Sequence, residues 1–235
     1  MSRVRGALSR LHIDINDLTT PPSVIDAFCV APQLREVVIE CFDVQHFELP
    51  WPQLKSLKCR GTVADCLRLL PQMDNLEHLG VQSSFASEPG ANLGHLHLTR
   101  LKSISLSNPT FIDCLTLPAL ESATFHIDNA SGPAYLSLVT RSSCTLRSLD
   151  LTLAMFGWAR WPDILHHQSS LQTLDVFFLM SNLIDGLVEA LTVSRTRQYL
   201  PQLRVLNVGM LRAQMSDDFF EDVGVSERSA CPERR

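Results

Sequence analysis

Histidine pairs are the first place to look for chemistry in this chain, because imidazole binds transition metals and moves protons near neutral pH. His95 and His97 stand two apart, so any strand containing both carries them on one side, and His166 and His167 are adjacent. Zinc needs three or four converging nitrogen, sulfur or oxygen ligands, and neither an HExxH helix nor a CxxC pair is present to complete such a set. No metal is expected. Ser107, His126 and Asp150 supply the nucleophile, base and orienting acid used in acyl transfer, each on a different strand of the reading below. That chemistry also needs oxyanion donors and exclusion of water. An open sheet face provides neither, so a hydrolase ranks a distant third. The ten glycines form no GxGxxG or GxxxxGK loop, and no nucleotide or other cofactor is expected.

The seven cysteines, at 29, 41, 59, 66, 114, 144 and 231, are odd in number, as thiols of a reducing compartment would be. Cys59 and Cys66 read as small apolar side chains turned inward. Chemistry therefore recedes, and the elements that hold these residues become the informative part.

One pattern recurs along the chain: apolar, two variable residues, apolar, one variable residue, apolar. It occurs at Leu8/Leu11/Ile13, Leu34/Val37/Ile39, Leu54/Leu57/Cys59, Leu76/Leu79/Val81 and Leu101/Ile104/Leu106. It continues at Leu120/Ala123/Phe125, Leu146/Leu149/Leu151, Leu171/Leu174/Val176 and Leu203/Leu206/Val208. Successive units begin 19 to 32 residues apart. That interval matches the roughly 20–29-residue leucine-rich repeat, with one longer insertion. Pro-Gln-Leu recurs at Pro32, Pro52 and Pro201, with Pro118-Ala119-Leu120 as a variant. Proline is expected to end a preceding helix there and bias the chain toward extended geometry. Helices are expected at Ser23–Val30, Val63–Leu70, Pro133–Val139, Pro162–His167 and Leu183–Tyr199, and a looser segment at Phe85–Leu98.

Within each unit the inward positions are apolar and the intervening ones mostly polar, from Arg10 and His12 through Ser103 and Ser105 to Asp150 and Thr152. A parallel sheet covered on both faces would read as continuous apolar strands. The alternation predicts an α/β solenoid with a curved parallel sheet on its concave face and helices on its convex face. Leu57, Leu79, Leu149 and Leu174 should be buried, and Lys58, Ser105 and Asp150 exposed. Residues 1–213 form this solenoid of about nine repeats. Residues 214–235 are expected to be a capping helix, around Phe219, Phe220 and Val223, and a flexible tail.

Composition sets the remaining bounds. With 20 basic and 25 acidic residues, the net charge of −5 gives no reason to expect nucleic acid or an anionic membrane as partner. No stretch reads as a secretion signal or a membrane span, so a cytoplasmic or nuclear location is expected.

The repeat series, the Pro-Gln-Leu entries and the segment from Gly61 to Leu79 resemble the repeat regions of fungal F-box/leucine-rich-repeat proteins. The resemblance covers about residues 1–213. It implies that the repeats capture a protein substrate for a cullin–RING ubiquitin ligase. No F-box, with its Leu-Pro opening, precedes Leu8, so ligase components are expected as partners only where an F-box is supplied elsewhere. The leading expectation is a protein-binding module, and the alternative is a structural scaffold or fragment without a ligase connection. The binding face is expected at Glu36, Glu40, Lys58, Arg60, His78, Ser105, His126, Asp150, Asp175 and Phe177, with Lys58/Arg60 and Phe177 as its sharpest features.

Overall fold

Each Leu-x-x-Leu-x-Leu unit becomes a turn followed by a short strand. The computed structural model describes residues 7–14, 24–40, 44–82, 95–107, 109–127, 132–153, 168–178 and 200–210, with residues 165, 187, 188 and 191. Nine strands form one wholly parallel sheet: β1 (Arg10–Ile13), β2 (Glu36–Ile39), β3 (Ser56–Arg60), β4 (His78–Gln82), β6 (Ser103–Leu106), β8 (Ser122–Ile127), β9 (Ser148–Leu153), β10 (Thr173–Phe178) and β11 (Val205–Met210). They lie side by side in chain order. A separate two-stranded sheet pairs β5 (Leu96–His97) with β7 (Leu115–Thr116). No helix among the described residues is long and apolar enough to cross a membrane.

Register is fixed where the strands begin. The carbonyl just before each strand accepts two N–H groups from the next unit. Lys55 O, for example, accepts from Glu77 N at 2.8 Å and His78 N at 2.9 Å, and Glu121 O accepts from Arg147 N at 2.8 Å and Ser148 N at 3.1 Å. Ser9, Arg35, Glu77, Lys102, Arg147 and Gln172 do the same. Both lone pairs of these oxygens are thereby used. The Pro-Gln-Leu motif supplies the turn in front of this ladder. Leu34 N donates to Ala31 O, Leu54 N to Trp51 O, Leu120 N to Leu117 O and Leu203 N to Leu200 O. Proline's fixed φ suits the second position of such a turn. Its role at Pro32 is therefore to open a turn and not to end a helix.

The turns also stack on one another. Gln53 Nε2 donates to Ala31 O at 2.6 Å, Asn75 Nδ2 to Pro52 O at 2.8 Å and Ser170 Oγ to Leu146 O at 2.9 Å.

Helices α1 (Val63–Leu69) and α2 (Gly132–Ser142) lie on the apolar side. α1 starts at Thr62, whose Oγ1 accepts from Asp65 N at 3.2 Å, and buries Cys66 and Leu67. α2 carries Pro133 in its first turn, where a missing N–H costs nothing. Its Tyr135 meets Phe125 of β8 edge-on, ring centres 5.4 Å apart, and accepts from buried Gln168 Nε2 at 3.2 Å. Phe125 belongs to the same repeat as Ala123, which is 1% exposed. Arg141 anchors α2 by donating to Leu115 O and Ile112 O, and Ser143, at φ 48°, ends it.

Other expectations change. Residues 24–30 are not helical: Ile25 makes a parallel bridge to Phe47, its N–H donating to His46 O at 2.7 Å and its carbonyl accepting from Glu48 N at 3.0 Å. Backbone groups committed to that bridge are lost to a helix. The segment expected to be loop-like contains β5 at its end. Leu165, Leu187, Val188 and Leu191 are helical, but most of the last two expected helices and all of residues 214–235 lie outside the described residues.

The inward residues of β2–β10 are nearly all below 4% exposed, including Leu57, Leu79, Leu149 and Leu174. On β11, which pairs with β10 alone among the described residues, the equivalent Leu206 and Val208 are 43% and 46% exposed.

Glu77 ties three units together through side chains as well. Its Oε1 lies 3.0 Å from Lys55 Nζ and its Oε2 2.7 Å from Lys102 Nζ. Hydrogen bonds from Lys102 and Lys55 hold its pKa at about 2, from an ordinary 4.5.

Two measurements follow from this packing. Leu149, fully buried between Ala123 and Leu174, should cost about 2–5 kcal/mol when changed to Ala, read by denaturant unfolding. Glu77's depressed pKa contributes stability that is present above its unfolded value and lost as pH falls toward 2. A melting series between pH 7 and 2 should therefore fall less steeply in Glu77→Gln than in the parent; parallel curves would show that the ion pairs contribute nothing to folding.

Candidate functional site

The face of the sheet left exposed or half-buried among the described residues gathers the ten residues singled out in the sequence. Pleating puts every second residue of a strand on this side, and the parallel register lines up equivalent positions in files. One file runs through Val38, Lys58, Gly80, Ser105, Thr124, Asp150, Asp175 and Asn207. These residues are exposed or half-buried.

The file changes character along its length. At the β1–β4 end its charges are matched in place. Arg10 Nε lies 2.8 Å from Glu36 Oε2, and Glu40 Oε1 lies 3.9 Å from both His12 Nε2 and Lys58 Nζ. Arg60 Nε donates to Gln82 Oε1 at 3.4 Å. Glu40 thus offsets part of the charge of Lys58, while Arg60 meets a neutral amide. Such exposed pairs contribute about 0–1 kcal/mol each. Lys58 also leans over Gly80, where a Cβ would stand 3.2 Å from its Cγ.

The middle is low in relief. Ser105 is exposed, flanked by Gly80 and Thr124, with His78 at its edge.

At the far end, Asp150 and Asp175 are register partners, and Asn207 Nδ2 donates to Asp175 Oδ1 at 2.6 Å. Asp150 is half-buried, not exposed as expected. Its Oδ1 is shut off from solvent without a hydrogen-bond partner among the described residues. Desolvation, then the charge of Asp175, raises the pKa of Asp150, while His126 acts in the opposite sense. Desolvation lowers the pKa of His126, against the attraction of Asp150. Each group is pushed toward its neutral form. Phe177 is half-buried because its ring lies against Gly209: a Cβ there would be 2.9 Å from Phe177 Cδ1. Any side chain at 209 would lift the ring.

The acyl-transfer set is spread over three neighbouring units. Ser107 falls just beyond β6, half-buried, and its hydroxyl donates to Val81 O at 3.5 Å. His126 is paired in register with Thr152, and Asp150 with Thr124. Of the histidine pairs, His95 Nε2 bonds Thr116 Oγ1 at 2.6 Å, and His166 and His167 lie outside the described residues. Among the described residues no three His, Cys, Asp or Glu side chains converge as metal ligands would.

Asn207 and Gly209 were missed in the sequence, yet the signal was there. Leu149-Asp150-Leu151, Leu174-Asp175-Val176 and Leu206-Asn207-Val208 are the same three positions of consecutive units. Reading down the units, not along them, lines up the carboxylates with their amide partner.

No family model, curated protein or solved structure matches this chain.

Asp150 yields a direct test. A carboxyl group whose folded pKa lies above its unfolded value stabilises only at low pH, and the benefit is lost as pH rises through the folded value. Asp150→Asn should accordingly melt higher than the parent at pH 7, with the gap closing as pH falls through the carboxylate range. A variant that melts lower at pH 7 would mean that the charged form is the one the fold favours.

Proposed function

We propose that this chain is a leucine-rich-repeat solenoid that binds a protein on the bare face of its sheet, and that the partner presents a basic side chain to Asp150 and Asp175. The observation that carries this reading is the asymmetry of the sheet. One face is buried, with α1 and α2 packed on it, while the other is a continuous run of half-buried and exposed, mostly polar side chains. Parallel sheets ordinarily have both faces covered. Repeats whose helices sit on one side leave the other open, and such proteins bind along that surface. Support for the solenoid comes from strands in chain order, a turn before each strand and a repeat interval near 20–29 residues.

The contact chemistry follows from the charges. On strands β1–β4, Glu36 and Glu40 already have basic neighbours in Arg10 and Lys58. Asp150 and Asp175 stand beside one another with a raised Asp150 pKa, and a lysine or arginine set between them offsets that repulsion. Phe177, flat and half-exposed on the next position, offers an aromatic surface to the same cation. On the resemblance to F-box/leucine-rich-repeat proteins, the partner is a protein delivered to a ubiquitin ligase through an F-box supplied elsewhere.

The test is positional crosslinking. A photo-reactive residue is placed at Ser105 or Phe177 on the sheet face, and at exposed Arg68 on α1, then irradiated in cell extract. Specific adducts are expected from the first two sites. Their yield should fall about tenfold or more when Asp150→Asn and Asp175→Asn are combined, with no loss of thermal stability. Adducts from Arg68 alone would move the interface to the helical side and overturn the proposal.

A further inference from the structure

Two buried sulfurs touch behind the sheet. Cys59 is the second inward residue of β3, between Ile39 and Val81 in register, and Cys66 is the fourth residue of α1. Only Gly61 and Thr62 separate the strand from the helix, so the chain turns back at once and lays the first turn of α1 over the end of β3. The two Sγ atoms are 3.7 Å apart, and the residues are 2% and 3% exposed. A disulfide has its sulfurs about 2.05 Å apart, so rotation of the two side chains must bring the atoms closer. Neither state conflicts with the apolar surroundings, because two thiols and a disulfide are both uncharged.

We infer that Cys59 and Cys66 form a reversible dithiol–disulfide site that staples α1 to β3 on oxidation. The oxidant is a peroxide. One thiol is converted to a sulfenic acid, with the peroxide O–O bond breaking and water leaving. The second sulfur then attacks the first, the S–O bond breaks, and a second water carries off the remaining oxygen and proton. In sum, two thiols and one hydrogen peroxide give one disulfide and two waters, two electrons passing from sulfur to oxygen.

Access comes through the helix. α1 spans Val63–Leu69, far below the roughly 12–15 residues at which an isolated helix becomes even marginal. It is held mainly by packing of Cys66, Leu67 and Leu69. Segments of this kind open locally at less cost than the whole fold. Opening of α1 uncovers Cys66 for oxidation, and reclosure returns it to Cys59.

Trypsin tests the pair directly, because it cuts after Lys58, Arg60 and Arg68 and so separates the two cysteines. The full chain is treated with hydrogen peroxide under native conditions, its remaining thiols are blocked with N-ethylmaleimide in denaturant, and it is digested without reductant. The expected product is Cys59–Arg60 joined to Gly61–Arg68, lighter by two hydrogens than the separate peptides and split by dithiothreitol. The oxidised chain should melt a few degrees above the reduced one, and Cys66→Ala should lose both effects. If that variant fails to fold, the parent's peptide map decides alone. Cys59 and Cys66 both recovered as maleimide adducts while exposed Cys29 is oxidised would overturn the inference, as would either one joined to a different cysteine.

Discussion

The doubly used carbonyl at the entry of each strand is the constraint on which the rest depends. From Ser9 to Gln172, one oxygen per unit accepts two N–H groups of the next. Since side chains alternate with period two, a slip of one residue anywhere would send an apolar file to solvent and a polar file into the core. Two donors converging on one acceptor leave little room for such a slip. The ladder does not itself supply large net stability, because each backbone bond exchanges with water for about 0.5–1.5 kcal/mol. What it supplies is alignment, so that Val37, Leu57, Leu79, Ile104, Ala123, Leu149 and Leu174 form one continuous buried file. Burial of that file and its companion drives folding, at about 25 cal/mol per Å² of apolar surface.

The same alignment sets the electrostatics. Positions that precede successive strands are neighbours, so Lys55, Glu77 and Lys102 must meet, and their alternating signs turn a forced contact into a favourable one. On the open face the rule works both ways. Glu36 meets Arg10, and Glu40 meets His12 and Lys58, but Asp150 meets Asp175. Asn207 relieves Asp175 alone.

Much of the fold was legible because its signal is local. Leu-x-x-Leu-x-Leu states which residues face inward, and every inward residue named from Val37 to Val176 is buried. The entry of each strand was legible through Pro-Gln-Leu, though its mechanism was misread: the motif makes a turn closed by the leucine N–H. What the residues could not announce was set by distant partners. Ile25 is extended because Phe47 lies beside it, and apolar spacing alone reads the same segment as a helix. The exposure of Asp150 was misjudged because a flat alternation of in and out takes no account of neighbours in the adjacent strands. Glu40 beside Lys58 was not visible for the same reason, since the two are distant in sequence and adjacent in space.

Asp150 also shows why such a stack tolerates a site that its own fold would not select. In a sheet built from similar units, each strand touches only the strands on either side, and stability is approximately a sum of unit and neighbour contributions. A carboxylate oxygen without a partner weakens β9 against β8 and β10. The register of β2 with β3 lies beyond β4, β6 and β8, which stand between. The local loss is offset where it arises, since Leu149, Leu151, Leu174 and Val176 behind the two aspartates are completely buried. The buried apolar file beneath the face thus supplies the packing there, while the face above it carries the charges.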